Sequence, residues 1–392
     1  MNDLVVIGAG MSGLMAAGAA VNQQKKVLVI TKGQGALTLS SGCIDFNLKK
    51  LERDSANPLS KVQDVVQESF NFFKSLVKEQ DLTYYGTPEA TAKVLTALGT
   101  VKTTCLVPES MHVEEPEQFE RLVAVGFKGY FEFSPELFLH YAQKSGFFPN
   151  LKETGEVHFV VEEKNLNPTY LALALGSNPI KDRLITFLKP HVKPKTVFAF
   201  PAVLGNLGEK LYLELEKELG AKVVEIPGGL PSIPGQRVYQ ALVKSLKQKG
   251  VQFIHNAEVK GYKEEAGKVI SVLVEEAGGR VKEVYAKSFV LATGSFWGKG
   301  IIANGKNVVE PIFGAKVFTP EDFAENYNFL GSGIITDNFL RPRQDLTNLF
   351  AAGDILAHTN YLKNNSGLGL ALATGYKAGI LAVRESGVKE SA

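Results

Sequence analysis

The sequence predicts an α/β fold built on a central parallel sheet with a small β-meander, interrupted by inserted segments. Three observations predict it. An apolar strand runs straight into a glycine turn and a helix at residues 4–22, apolar strands ending in glycine return after about residue 225, and long amphipathic helical stretches fill much of the interval.

The elements follow in order. Leu4 to Ile7 reads as a strand, Gly8 to Gly13 as a turn, Leu14 to Asn22 as a helix and Lys26 to Ile30 as a second strand, which together make a βαβ unit. Gly8, Gly10 and Gly13 fit the dinucleotide fingerprint of a Rossmann-like FAD/NAD(P)-binding domain. They serve a tight turn, close backbone approach to a diphosphate, and close helix–strand packing, while the helix N-terminus offers its amides to the anion. The acidic residue that selects a ribose diol at the end of the second strand is missing, because Thr31 and Lys32 stand there. That weakens an NAD reading. A hydroxyl and an amide can still hold a ribose, and Lys32 can face a phosphate or simply stand solvated at the strand end.

Glycine and serine then mark a loop, "KGQGALTLSSG", and "LSKVQDVVQESFNFFKSLVKEQ" has the period of an amphipathic helix. The Pro/Gly-rich "EIPGGLPSIPGQRV" near residue 225 reads as the crossing back, leading into the helix "VYQALVKSLKQKG" and the strand "VQFIHN". Strand-like runs with Gly turns suggest an antiparallel meander ahead of the apolar strand "SFVLATG". A strand at "TNLFAAGDILAH" and a closing helix rich in Gly and Ala complete the pattern. The expected organisation is a discontinuous cofactor domain (1–50, 225–295 and 345–392), an inserted α+β substrate or partner domain (51–224), and a second insertion completing a cap (296–344).

Composition narrows the function classes. Hydrophobic residues make up 45% and charged ones 21%, an ordinary globular balance. A formal net charge of +2, with the two signs interleaved, gives no footprint for nucleic acid. Apolar runs fall short of the ~20 residues that span a bilayer, and the chain opens into a strand without a secretory leader, so a cytoplasmic protein with at most peripheral membrane association is expected. Cys43 and Cys105 lie far apart outside any C-x-x-C spacing, which supports neither a disulfide framework nor a protein-held metal or iron–sulfur site.

Later motifs move the reading from a dinucleotide to a flavin. "FVLATG" ends at Gly294 and "LFAAGD" ends at Gly353 and Asp354, strand ends of the kind that approach the cofactor in two-dinucleotide-type flavoproteins, with the Asp on the ribityl chain. A buried Asp needs partners, and sugar hydroxyls supply them. Ser366, Gly367, Leu368 and Gly369 open the last helix, whose dipole can stabilise negative charge on a reduced flavin ring. In the order "GAGMSGL", "VLVITKGQGALTLSSGCIDF", "ALGTVKTTCLVPESM", "FAFPAVLG", "GLPSIPGQRV", "LATGSFWGKG" and "LFAAGD", the chain resembles the B-subunit family of anaerobic glycerol-3-phosphate dehydrogenase nearly end to end. More widely, its Thr-Lys pair and Ser/Gly loop resemble the fumarate reductase and L-aspartate oxidase group, where a Ser-Lys pair stands at the same strand end.

The resemblance implies a flavoprotein subunit that works with a catalytic flavoprotein A subunit and an iron–sulfur C subunit docking the complex on the inner face of the membrane. The joint reaction takes glycerol 3-phosphate to dihydroxyacetone phosphate and passes electrons to quinone. It places Thr31, Lys32, Ser40, Ser41 and Gly42 beside the flavin. FMN is the family's usual assignment, whereas the strand–glycine–helix diphosphate site argues for FAD. Alcohol oxidation needs a general base and phosphate needs a cation. The candidates are His358, four residues beyond the Asp of "AAGD", Arg237, whose position at a helix start hints at an anion or packing partner nearby, and Arg341 in "NFLRPR". A competing reading is a stand-alone flavin enzyme of the fumarate reductase type acting on a small carboxylate.

Overall fold

A computed structural model describes residues 1–47, 56–162 and 166–387. The chain forms two compact units, one of Met1–Leu37, Ile44–Leu76 and Leu242–Ala392, the other of Thr38–Cys43 and Val77–Ala241.

In the first unit, β1 (Asn2–Ile7), α1 (Met11–Val21) and β2 (Val27–Thr31) form the expected βαβ start. Every residue of β2 is buried, as a parallel strand covered on both faces requires. The chain re-enters this unit through α2 (Val66–Lys78), β3 (Gln252–His255), β4 (Ala257–Glu265), β5 (Lys268–Glu276), β6 (Val281–Leu291), β7 (Leu349–Ala351) and α3 (Gly367–Gly387). The sheet runs β3-β2-β1-β6-β5-β4, with β7 also pairing with β6. Pairings among β3, β2, β1, β6 and β7 are parallel, and β4, β5 and β6 form an antiparallel meander.

The long strand β6 serves both patterns. Val281–Tyr285 pairs with β5, burial alternates over Val284–Ser288, and the continuously buried end Ser288–Leu291 pairs with β1. The meander and the apolar strand that follows it in sequence are thus one continuous element.

Neighbouring helices flank α1 closely. A Cβ added at Gly375 or Gly379 of α3 would lie 2.2 Å from the Ser12 carbonyl oxygen or 2.4 Å from that of Ala16, so only glycine permits this approach. A Cβ at Gly18 would meet Phe72, Leu76 and Leu246 at 3.0 to 3.3 Å. This packing explains why the division differs from the expected insert of 51–224: the apolar face of α2 covers α1, so residues up to Leu76 join the cofactor unit. Residues 296–344, expected as a separate insertion, belong to it too. Val317–Phe318 pairs with Gly333–Ile334, and Ile334 bridges to Leu356. The expected boundary at 50/51 lies outside the described residues.

The second unit is built on a four-stranded parallel sheet in the order Lys222–Ile226, Thr196–Pro201, Arg121–Phe127, Glu153–Phe159. Short antiparallel pairs accompany it, including Ala92–Leu95 with Val101–Thr104. Phe198, Phe200, Leu122 and Val123 are wholly buried in its core. Each such side chain contributes about 1.5–3 kcal/mol by leaving water.

Candidate cofactor site

At the end of β1 the chain turns through Gly8, whose φ of +115° and close approach both demand glycine: a Cβ there would lie 2.2 Å from the Ala292 carbonyl oxygen. Gly13 is equally constrained, since its Cβ would lie 2.0 Å from the Gly8 carbonyl oxygen. Gly10 differs. It caps α1 with no side-chain hydrogen bond, and a Cβ there would have nothing within 4 Å. The first turn of α1 carries no acidic side chain. Its leading amides and positive dipole end therefore face open space in front of Gly10, which fits a diphosphate.

The neighbouring strand end is already engaged. Thr31 donates its hydroxyl to the Gly33 carbonyl and accepts the Gly33 N–H at 3.3 Å, forming a local turn. Lys32, for which a phosphate or a merely solvated position was expected, is exposed and pairs with Glu258, whose carboxyl Lys32 holds below its usual range. Ser40, Ser41 and Gly42 fall in the second unit. There the Ser40 carbonyl accepts the Ser232 hydroxyl, the Ser40 and Ser41 hydroxyls accept the amides of Gly42 and Cys43 at 3.3 Å, and the Gly42 carbonyl accepts the Tyr84 hydroxyl. Cys43 and Cys105 are buried thiols.

The ends of β6 and β7 carry the second cluster of the first unit. Gly294 (φ +76°) and Gly353 (φ +85°) turn the chain there. A Cβ at Gly353 would lie 2.3 Å from Ser12 Oγ, and its N–H donates to Thr374 Oγ1 at 3.0 Å, so this strand end is fixed against both α1 and α3. Asp354 follows, partly buried. Burial pushes its carboxyl up to about 7, opposed by donation from the Ser295 hydroxyl and N–H. Burial, and then the charge of Asp354, push the Tyr361 hydroxyl up, with Trp297 opposing. Ser295, Tyr361 and Trp297 were not anticipated, although Ser295 directly follows the "LATG" motif. Thr293 Oγ1, beside this turn, is buried without a hydrogen-bond partner. A buried carboxyl with little compensation and an orphaned hydroxyl are what a polyol chain can satisfy.

At the start of α3, Ser366 accepts the Leu370 amide on its carbonyl at 2.8 Å. Gly369 gives its own amide to the Asp45 carbonyl at 3.1 Å, where a Cβ would lie 2.6 Å from that oxygen. Gly369 is thus a packing position, and Gly367 and Leu368 lead the helix.

The three expected substrate-facing groups stand in different settings. His358 holds a left-handed backbone, φ +65°, which is costly for a residue with a side chain. It is pinned on both sides: its N–H donates to the Gly331 carbonyl at 2.9 Å, and its carbonyl accepts from the amides of Asn57 at 3.0 Å and Asn364 at 3.4 Å. Its ring lies 4.1 Å from that of Phe318. Arg237 lies in the second unit, and the anion at its helix start is internal. Its guanidinium grips Glu225 through Nη1 at 2.6 Å and Nη2 at 3.0 Å, and gives Nε and Nη2 to the Gly205 carbonyl. Arg341 pairs with Asp337 at 3.0 Å and lies over the Phe339 ring.

Comparison with known proteins defines the class first. Residues 3–145 match the model of an FAD binding domain, and residues 214–367 match that of an FAD dependent oxidoreductase. The chain is a flavoprotein of the FAD-dependent oxidoreductase type, and both matches support FAD as its cofactor. A protein of Vibrio vulnificus named as the B subunit of anaerobic glycerol-3-phosphate dehydrogenase is 30% identical over 96% of this chain and 95% of its own length. A Halobacterium salinarum protein named as a probable B subunit of the same enzyme is 29% identical over 97% of each. The chain belongs to the anaerobic glycerol-3-phosphate dehydrogenase B-subunit family. Among solved structures, glycine oxidase from Bacillus cereus is 12% identical, with a TM-score of 0.41 over 98% of each chain.

Proposed function

We propose that this chain is the FAD-carrying subunit of an anaerobic glycerol-3-phosphate dehydrogenase complex, which converts glycerol 3-phosphate to dihydroxyacetone phosphate and passes two electrons towards quinone. Alignment along nearly the whole chain with proteins named as the B subunit of that enzyme carries the reading. The diphosphate lies at Gly8, Gly10 and Gly13, and Asp354 takes the ribityl hydroxyls. Bound FAD supplies the hydride acceptor; the hydroxyl proton must go to a side chain. On this chain we assign that proton to His358, whose left-handed backbone is held by three hydrogen bonds and whose ring is set 4.1 Å from that of Phe318. A flavoprotein A subunit and an iron–sulfur C subunit complete the assembly and dock it on the inner face of the membrane. Among the described residues no helix is long and apolar enough to cross a membrane.

The test is to purify the chain alone, identify its released flavin by mass, and add glycerol 3-phosphate without oxygen, with and without the co-produced partners. FAD and bleaching of the flavin band, abolished in His358→Gln, are expected. Bleaching only with the partners present moves the base to the catalytic partner. A chain that holds no flavin, or no bleaching in either case, overturns the reading.

A further inference from the structure

Lys61 closes a short helical turn, Pro58–Lys61, in the first unit, and that turn is fastened at both ends. At its start Asn57, 2% exposed, accepts the Leu59 N–H on its side-chain oxygen at 3.1 Å and donates its amide to the His358 carbonyl at 3.0 Å. At its end the Lys61 carbonyl accepts the Lys377 ammonium, which reaches in from α3, at 2.6 Å. The half-buried Lys61 side chain therefore leaves a fixed backbone. Its ammonium donates to the Thr336 carbonyl at 2.6 Å and to the Thr336 hydroxyl at 3.1 Å. Both acceptors are neutral, and among the described residues no carboxylate forms an ion pair with Lys61. Asp337, next after Thr336, is already answered: Oδ1 accepts the Phe339 and Arg341 N–H groups at 2.9 Å, and Oδ2 accepts Arg341 Nε at 3.0 Å. One of the three ammonium N–H groups of Lys61 and its whole charge are left over, although a cation withdrawn from water is ordinarily paired.

The same segments hold His358. Two residues before Thr336, Ile334 bridges to Leu356, donating its N–H to the Ile355 carbonyl at 2.8 Å and accepting the Ala357 N–H at 2.9 Å. Phe318, whose ring meets that of His358, pairs with Gly333 of this segment. Lys61 and His358 are thus joined twice, through Asn57 and through the Ile334 pairing.

We propose that Lys61 is the specificity-determining cation of the substrate site: its remaining N–H receives the phosphate of glycerol 3-phosphate while His358 faces the carbon to be oxidised. The inference rests on the proposed reading of glycerol 3-phosphate as substrate and His358 as acceptor of its hydroxyl proton. A phosphomonoester carries close to two negative charges at neutral pH and supplies the counter-charge that Asp337, held by Arg341, does not. An unphosphorylated polyol leaves the ammonium unanswered, so Lys61 separates glycerol 3-phosphate from glycerol.

The experiment has two arms, each run on the natural chain, Lys61→Met and Lys61→Arg. Calorimetric titration of the FAD-loaded chain alone with inorganic phosphate reads the anion site, and flavin bleaching by glycerol 3-phosphate without oxygen, with the co-produced partners where bleaching needs them, reads the substrate. Loss of a hydrogen bond to a charged group predicts about tenfold weaker phosphate binding or more in Lys61→Met. KM for glycerol 3-phosphate rises alongside it with kcat little changed, and Lys61→Arg returns both towards the natural values. If glycerol 3-phosphate bleaches the flavin and Lys61→Met keeps the natural KM and phosphate affinity, the role of Lys61 is overturned and the substrate reading stands. If glycerol 3-phosphate bleaches nothing, the substrate reading fails. Phosphate binding lost in Lys61→Met then still supports an anion site at Lys61, and binding unchanged overturns that too. Should Lys61→Met not fold, by circular dichroism, Lys61→Gln keeps a donor for Thr336 without the charge and is read in the same way.

Discussion

Glu225 in the second unit and Asp354 in the first are two acidic side chains treated in opposite ways. Glu225, in the second unit, is wholly buried and receives two guanidinium nitrogens of Arg237 and the Leu204 N–H at 2.7 Å. Its charge is answered within the protein. Asp354, in the first unit, has no ion pair to a cation among the described residues, and burial pushes its carboxyl up to about 7 against the opposing influence of Ser295. A carboxylate closed off by its own fold holds structure, whereas one left short of partners at a strand end is available to a ligand.

That contrast can be broken most forcefully at Arg237. Arg237→Ala strands a buried carboxylate, and chemical denaturation should show about 3–5 kcal/mol lost, whereas replacing both partners with apolar residues of similar volume should recover most of it. A stability change below about 1 kcal/mol in the single variant would make the pair dispensable. The glycines come next. Gly13→Ala should cost about 1–3 kcal/mol by overpacking against the Gly8 carbonyl. Gly10→Ala should leave the cofactor-free fold within about 0.5 kcal/mol, because its Cβ enters open space, yet weaken FAD binding by about tenfold. Equal losses of stability in the two variants would contradict the distinction.

The Asp354 carboxyl gives a pH effect of defined sign. Its folded value, about 7, stands above the ordinary 3.8, so the folded chain holds a proton that the unfolded chain releases. Stability of the cofactor-free chain should therefore fall as pH rises from about 4 to about 7, by at most a few kcal/mol, and Asp354→Asn should flatten that part of the profile. The smallest effect belongs to Arg341→Ala. Its pair with Asp337 is partly exposed, so a stability loss under about 1 kcal/mol is expected. A more than tenfold rise in KM for glycerol 3-phosphate in that variant would give Arg341 a substrate-facing role as well.

The parallel sheet was legible because its strands are short apolar runs and its turn carries three glycines, each with a separate steric duty that spacing reveals. The partners of those strands' ends were not. Nothing in the pattern of "LATGS" says that the serine acts on the titration of an aspartate far along the chain, since serine has no period and little propensity at a strand end. The face of α2 was readable as apolar, but a helical period does not say what it covers, and the helix went to the wrong side of the expected boundary. The position of Arg237 at a helix start hinted at an anion or a packing partner nearby, and only the fold shows that it is the anion Glu225. Lys32 likewise left open whether a phosphate, a carboxylate or water would face it.

The way α1 and β1 are completed bears on how the protein is made. The wall behind Gly8 is Ala292, and the helix seated on Ser12 and Ala16 carries Gly375 and Gly379. A ribosome that has released only the first βαβ unit has therefore made the glycine turn without its backing or its neighbouring helix. Closure of such distant contacts waits on loop entropy across most of the chain. Cofactor capture is accordingly expected to follow translation through α3, and a chain cut short before that helix is expected to retain no flavin.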